Sequence, residues 1–361
     1  MNTRALAPRV LMLGPLPPPV GGMATVVANL LAALAADCDV ALLNTVKTTA
    51  PNRRLPQALL AHGRLLLRLG AHCLAGRRVV HIHTCSWFSF WRNAVDVVVA
   101  KALGRRVVLH VHGAEFHRFL NALSPLQARV MRLVLARCDR IVTLGPHWQR
   151  LLGQWCDESR VVVIANGVPV PTLAERPRGE VFTIVCLANY ERRKAQEDLL
   201  RAVARLRASG PVHLALLGME AEPGRAASLS ALAAELGIAD AVSIPGPVSG
   251  EAKARWWARA DAFCLPSHDE GLPMSMLEAM AHGIPVVVTR VGSIPEAIED
   301  QRHGLLFAPG DVDQLHAHLH TLLTQPAQAR QWGLAGRARV AEAFSLETSC
   351  AALLALYRDL V

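Results

Sequence analysis

Two carboxylates, Glu270 and Glu278, stand eight residues apart with Gly271 and Pro273 between them. Before them runs Ala262-Phe-Cys-Leu-Pro-Ser267, a buried-strand pattern ended by Pro266. After them come a helix end at Ala279–His282, a stop at Gly283 and the apolar run Val286–Val288. One acid therefore sits on a loop at a strand's carboxyl end, and the other lies in the helix that follows. Pro273 suits the first helical turn, where its missing N–H costs nothing. Free backbone N–H groups and the helix dipole favour an anion such as phosphate at that turn. The pattern suits a loop that grips a polyol with Glu270 and a sugar phosphate with its backbone. A plainer reading, two solvated surface acids, stays open.

Other candidates lie at comparable places. Gly21-Gly22 follows the apolar strand pattern of residues 9–14, and His112-Gly113 follows Val107–Val111. Asn166-Gly167-Val168 follows Val161–Ile164, where Asn166 is either a ligand contact or a turn former. Lys194 follows Val181–Leu187 and, taken alone, reads as a surface residue. Trp87, Phe88, Phe90 and Trp91 crowd the end of Val79–His83. They cannot all enter one core, so some are expected to form an acceptor platform or a membrane-touching patch beside Arg92. Glu115 belongs to the same group of acceptor or membrane candidates. Replacing Trp87 and Trp91 with Ala is expected to change membrane partition or acceptor kinetics.

The elements that must position these residues alternate between strand and helix along the whole chain, which argues for α/β structure with parallel doubly wound sheets. Ligands collect at the carboxyl ends of strands in such sheets, where the candidates above cluster. The pattern breaks at 169–180, which holds three prolines, and then restarts. The expected organisation is a first domain at 1–168, a linker at 169–180, a second domain at 181–343, and a final helix within 344–361 packing back on the first domain. The site is expected in the cleft between the domains.

Composition narrows the class. At 361 residues and 52% hydrophobic the chain is globular and long enough for two cores. Its eight cysteines form no Cys-x-x-Cys, so neither a zinc site nor a disulfide framework is indicated, and a reducing cytoplasm fits. No apolar run approaches a bilayer span, and Val10–Gly14 reads as a first strand rather than a signal peptide. The net charge of +9 divides into 20 Lys/Arg against 8 Asp/Glu over residues 1–175, and 18 against 21 over the remainder. A basic first half points to anionic lipid or an anionic acceptor. No nucleic-acid module is recognisable. The 55–75 helix, Leu-rich with Arg64 and Arg68, is either a packed helix or an amphipathic one touching a membrane surface.

Taken together, these segments resemble the family 4 retaining glycosyltransferases, which have the GT-B fold of two tandem Rossmann-like domains facing a cleft. The likeness runs over almost the whole chain and is fullest at Pro266-Ser-His-Asp-Glu-Gly-Leu-Pro273, Glu278-Ala, Gly283-Ile-Pro-Val-Val and Gly292-Ser-Ile-Pro-Glu296. The resemblance implies that Glu270 contacts hydroxyls of a donor sugar, with the backbone of Gly271, Leu272, Pro273 and Met274 near the sugar and phosphate. It implies that Glu278 binds the ribose, that Lys194 neutralises the diphosphate, and that Gly21 and Gly22 let backbone approach that diphosphate. His112 would lie near the transferred sugar, and the base against Gly246, Val248 and Ser249. At the second domain's opening the family has Gly-Arg-Leu, whereas this chain has Ala188-Asn189-Tyr190. The usual phosphate-binding Arg is thus Asn189, and Arg192 or Arg193 is the candidate substitute.

The implied activity is metal-independent transfer of a hexose from a nucleotide-diphosphate sugar to a glycan acceptor. The expected acceptor is polyprenyl-diphosphate-linked, in surface polysaccharide assembly at the cytoplasmic face of the membrane. No cofactor is expected. Asp37-Cys-Asp39 and Asp311-Val-Asp313 read as solvated helix-end acids rather than a metal motif. A nucleotide-sugar epimerase and a non-catalytic glycan or lipid binder remain as other readings.

Overall fold

The structure is a computed structural model that describes residues 7–18, 21–46, 55–173 and 179–361. Part of the expected linker, residues 174–178, lies outside the described residues. The chain divides into two compact units, Met1–Asn166 with Leu346–Val361, and Gly167–Ser345.

In the first unit the strands are β1 (Arg9–Gly14), β2 (Asp39–Asn44), β3 (Val79–Thr84), β4 (Arg106–Val111), β5 (Arg140–Thr143) and β6 (Val161–Val163). They form one parallel sheet in the order β2-β1-β3-β4-β5-β6. The second unit holds β7 (Phe182–Leu187), β8 (Val212–Leu217), β9 (Val242–Gly246), β10 (Ala262–Leu265), β11 (Val286–Thr289) and β12 (Leu305–Phe307). Its parallel order is β12-β11-β10-β7-β8-β9. Every residue of β3, β10 and β11 is buried, as expected for Val- and Ile-rich strands covered on both sides by helices.

Strand order reverses direction between β1 and β3 in the first unit, and between β7 and β10 in the second. A doubly wound sheet opens a crevice at such a point, outside the carboxyl ends of its strands. The loops after these four strands carry Gly21-Gly22, the Trp87 segment, Lys194 and Glu270. The Leu346–Asp359 helix belongs to the first unit, with Tyr357 fully buried there.

Short helices at Phe116–Asn121 and Pro146–Gly153 were not legible in the sequence, being too brief to show a period. Pro273 needs a correction: it is the N-cap, at φ −72 and ψ 123, and helix begins at Met274. Its fixed φ suits either position, and the extended ψ decides between them.

Candidate functional site

In the second unit, β7 leads through Ala188–Glu191 into the 3-10 turn Arg192–Lys194, and β10 leads into Pro266–Pro273. These two loops meet at the switch point. Lys194 Nζ donates to Glu270 Oε1 at 2.5 Å, and both side chains are buried. Ser267 Oγ donates to the same oxygen at 2.7 Å, while its carbonyl accepts from Thr289 Oγ1 on β11 at 2.6 Å. Both donors fall on Oε1, and among the described residues no hydrogen bond reaches Oε2. The ammonium keeps two N–H groups beyond the one given to Glu270. Lys194, a lone surface charge when read from sequence alone, is therefore half of a buried pair.

The backbone around the pair is held closely. His268 N–H donates to the Arg193 carbonyl at 2.8 Å, and the Arg193 guanidinium donates to the Asp269 carbonyl at 2.9 Å. Ser293 N–H donates to the Gly271 carbonyl at 2.9 Å. Gly292 has φ +55, and a Cβ there would lie 1.9 Å from the Glu270 carbonyl oxygen, so only glycine fits. Ala195, directly after Lys194, occupies the left-handed region at φ 48, ψ 39, a strained conformation for a residue with a Cβ.

Arg193 also pairs with Glu191 at 2.8 Å, so its charge is already engaged. Arg192 is almost fully exposed, 3.9 Å from Glu222. Asn189 is half-buried, and its carbonyl accepts from Gln196 Nε2. Leu272 and Met274 are buried. Glu278, in the Met274–Ala281 helix, receives Lys253 Nζ on both oxygens at 2.9 and 3.0 Å. Sequence reasoning missed Lys253, which sits on the Gly250–Arg259 helix and reads there as an ordinary solvated charge. Gly246, at φ +86, ends β9, and half-buried Val248 follows it.

In the first unit, Gly21 caps the Gly22–Leu34 helix in an extended conformation, and a Cβ at Gly21 or Gly22 would meet nothing within 4 Å. Among the described residues of the unit, nothing requires glycine at either position. The Trp87 segment divides: Phe90 is buried, Trp91 half-buried, Trp87 46% and Phe88 67% exposed. Trp87 has φ 58 and ψ −131, an outlier for an aromatic residue. Glu115 is 3.4 Å from Arg118, and Asn166 is buried.

His112, after β4, hydrogen-bonds through Nε2 to His83 Nδ1 at 2.8 Å. It belongs to a cluster with His81, His83 and His110, which sequence reading did not single out. Alternating His on adjacent strands was the available signal. Burial lowers the pKa of His81 and His112 to about 3 and holds His83 and His110 well below the usual range, so all four are neutral. The Asp-x-Asp pairs serve local structure. Asp39 pairs with Arg9 and Arg77, Asp311 caps a helix through Gln314 N–H, and Asp313 pairs with Arg205.

Comparison with known proteins covers both units. Residues 20–170 match the family described as Glycosyltransferase Family 4, and residues 181–325 match Glycosyl transferases group 1. An MMP alpha-(1->4)-mannosyltransferase of Mycolicibacterium hassiacum is 39% identical over 169 residues, 46% of this chain and 40% of that one. A GDP-mannose-dependent alpha-(1-6)-phosphatidylinositol monomannoside mannosyltransferase of Mycolicibacterium smegmatis is 32% identical over 261 residues, 66% of each chain. The chain spans about half the length of the curated relatives it matches. Among solved structures, Anabaena HepE in complex with UDP-glucose superposes with a TM-score of 0.80 at 17% identity, covering 98% of this chain and 99% of that one. Sucrose-phosphate synthase from Thermosynechococcus elongatus gives 0.79 at 20%, again over 98% and 99%. These likenesses show the fold. With its two parallel six-stranded sheets and matches over both units, the chain belongs to the family 4 glycosyltransferases, with the GT-B fold.

Proposed function

We propose that the protein transfers a hexose from a nucleotide-diphosphate sugar to a glycan acceptor. The carrying observation is the buried Lys194–Glu270–Ser267 constellation at the β7/β10 switch point. Glu270 Oε2 accepts from hydroxyls of the donor sugar, and the free N–H groups of Lys194 meet the diphosphate as it departs. Backbone N–H groups entering the Met274–Ala281 helix share that charge. Glu278 binds the ribose, and the segment at Gly246–Val248, half-buried at both ends, receives the base. Gly21 and Gly22, open around their Cβ positions, admit close backbone approach to phosphate, and His112 meets the sugar. Lys194 and oriented N–H groups supply the stabilisation that a metal would otherwise give, so no metal is required. The reaction is a retaining, same-face substitution in which the leaving phosphate takes the acceptor proton.

The acceptor is lipid-linked, at the inner face of the cell membrane. The net charge of +12 over residues 1–175 supports this. So does the Leu55–Leu74 helix, which exposes Leu60, Arg64, Leu67, Arg68 and Leu74 along one face. No helix among the described residues is long and apolar enough to cross a membrane. The test offers a panel of nucleotide sugars, including UDP-glucose and GDP-mannose, with membrane-extracted acceptors, and follows nucleoside diphosphate release. Turnover by wild type and its loss in Glu270→Gln are expected. No turnover with any donor, together with unchanged donor binding by Glu270→Gln, would overturn the reading.

A further inference from the structure

We propose that His83 is a positioning residue for His112, holding it in the Nδ1–H tautomer so that the nitrogen left for a ligand is a neutral hydrogen-bond donor. His81 and His83 alternate on β3, His110 lies on β4 with His83 in register with it, and His112 follows directly after β4. The four rings pack together, the closest pair being His110 and His112 with centroids 4.0 Å apart.

The tautomers follow from which nitrogens lack partners. His83 is 1% exposed, its Nδ1 bonds His112 Nε2 at 2.8 Å, and its own Nε2 has no partner among the described residues. Deeply buried N–H groups without an acceptor are rarer than buried acceptors left unfilled. The lone pair of His83 therefore sits on Nε2 and the proton on Nδ1. His83 then donates to His112 Nε2, which must be the acceptor, and the proton of neutral His112 lies on Nδ1.

A second chain of contacts obeys the same logic. His110 is 2% exposed and its Nε2 also lacks a partner, so its Nδ1–H donates to His81 Nε2 at 3.2 Å. His81 is left with a proton on Nδ1, which donates to Tyr357 Oη at 2.5 Å. Each hydrogen bond in the array thus has one donor and one acceptor. Burial keeps the rings neutral, so the assignment holds at physiological pH.

The ring nitrogens of His81, His83 and His110 lie within 4.8 Å of one another, which could suggest a metal site. The hydrogen bonds argue otherwise. Both nitrogens of His81 and Nδ1 of His83 and of His110 are already engaged, to Tyr357, His110, His112 and His81, and a metal would have to displace those bonds.

For its effect on turnover the inference rests on the proposed contact between His112 and the donor sugar; the tautomer itself does not. Two-bond 15N–1H correlation spectra of the full chain, labelled at histidine and recorded at neutral pH, test it directly. His83→Asn and His112→Asn assign the signals. The Nδ1–H pattern is expected for His83 and His112, and an Nε2–H pattern for His112 would overturn the proposal. Zinc added at one equivalent should leave the spectrum unchanged, and displacement of the His81, His83 and His110 signals would replace the proposal with a metal site. Turnover of UDP-glucose or GDP-mannose separates positioning from packing. The amide N–H of His83→Asn can stand in for Nδ1–H, whereas His83→Leu cannot. The Leu variant should lose on the order of tenfold in kcat/KM and the Asn variant no more than about threefold. Equal losses in both folded variants would refute the positioning role.

Discussion

Replacing Lys194 with Met removes one partner of a buried ion pair and leaves Glu270, 6% exposed, with Ser267 Oγ as its side-chain donor. Breaking such a pair from one side costs about 3–5 kcal/mol, because the remaining charge stays desolvated. For a unit the size of Gly167–Ser345 this should lower Tm by roughly 10 °C. Removing both charges, with Lys194→Met and Glu270→Leu, eliminates the stranded carboxylate and leaves the Ser267 hydroxyl unfilled, a cost of about 1 kcal/mol. The double variant should therefore be about 2–4 kcal/mol more stable than Lys194→Met alone, and the Glu270→Leu single variant completes the cycle that tests additivity. Hydrogen exchange in second-unit peptides of the full chain, followed through denaturant, measures it unit by unit. Both variants carrying Lys194→Met should remain at least about 100-fold below wild type in nucleoside diphosphate release, since neither has a cation at this point. Stability regained without activity separates the structural from the chemical role of Lys194. Losses that add to within about 0.5 kcal/mol would show that the pair is solvated, and the reasoning would fail.

Gly292→Ala should destabilise the second unit and impair turnover, because its Cβ would collide with the Glu270 carbonyl; unchanged kinetics and Tm would contradict the close approach. Lys253→Met should raise KM for the nucleotide sugar on the order of tenfold with little change in kcat, because Glu278 loses the contact that orients it. Treatment with a strong chelator should leave turnover unaltered, and a loss restored by a divalent cation would refute metal independence. Acidification should loosen the first unit: His81, at about 3 when folded against 6.5 unfolded, contributes stability above pH 6.5 that is lost as pH falls, about 2 kcal/mol by pH 5. His83, His110, His112 and His62 act in the same direction, while Asp96, raised to about 7 by burial, opposes them; hydrogen exchange in β3 and β4 that is no faster at pH 5 than at neutral pH would contradict the net sign.

The strands were readable because fully buried parallel strands leave uninterrupted apolar runs such as Val286–Val288, each ended by Gly, Pro or a polar cluster. The loops after β7 and β10 were readable as candidate sites because they follow strand ends. What spacing could not reveal is which charges meet across loops distant in sequence. Lys194 and Glu270 are separated by 76 residues, and their pairing depends on β7 and β10 being neighbours at the sheet's reversal. Lys253 was hidden for the opposite reason, since on an amphipathic helix a single Lys carries no signal. His81, His83 and His110 read as ordinary core residues one at a time. Only the register of β3 with β4 makes them an array.

That pairing changes what the two acids Glu270 and Glu278 mean. They are not partners of each other: each is matched to a lysine, Glu270 to Lys194 and Glu278 to Lys253. Two uncompensated carboxylates beside an arriving diphosphate would repel it, and at a few ångströms in a partly desolvated site that repulsion amounts to several kcal/mol. With both acids neutralised by lysines, the proposed diphosphate site presents no such barrier. Asn189, where the family carries Arg, removes one cation from this balance, and Arg193 does not replace it, being tied to Glu191 and the Asp269 carbonyl. In the proposed reaction the charge on the departing diphosphate then falls on the free N–H groups of Lys194 and on backbone. Asn189→Arg follows as the decisive substitution. If Lys194 and backbone carry that charge alone, an added guanidinium should tighten nucleoside diphosphate binding and raise kcat; if another cation already fills the place, both should stay as they are.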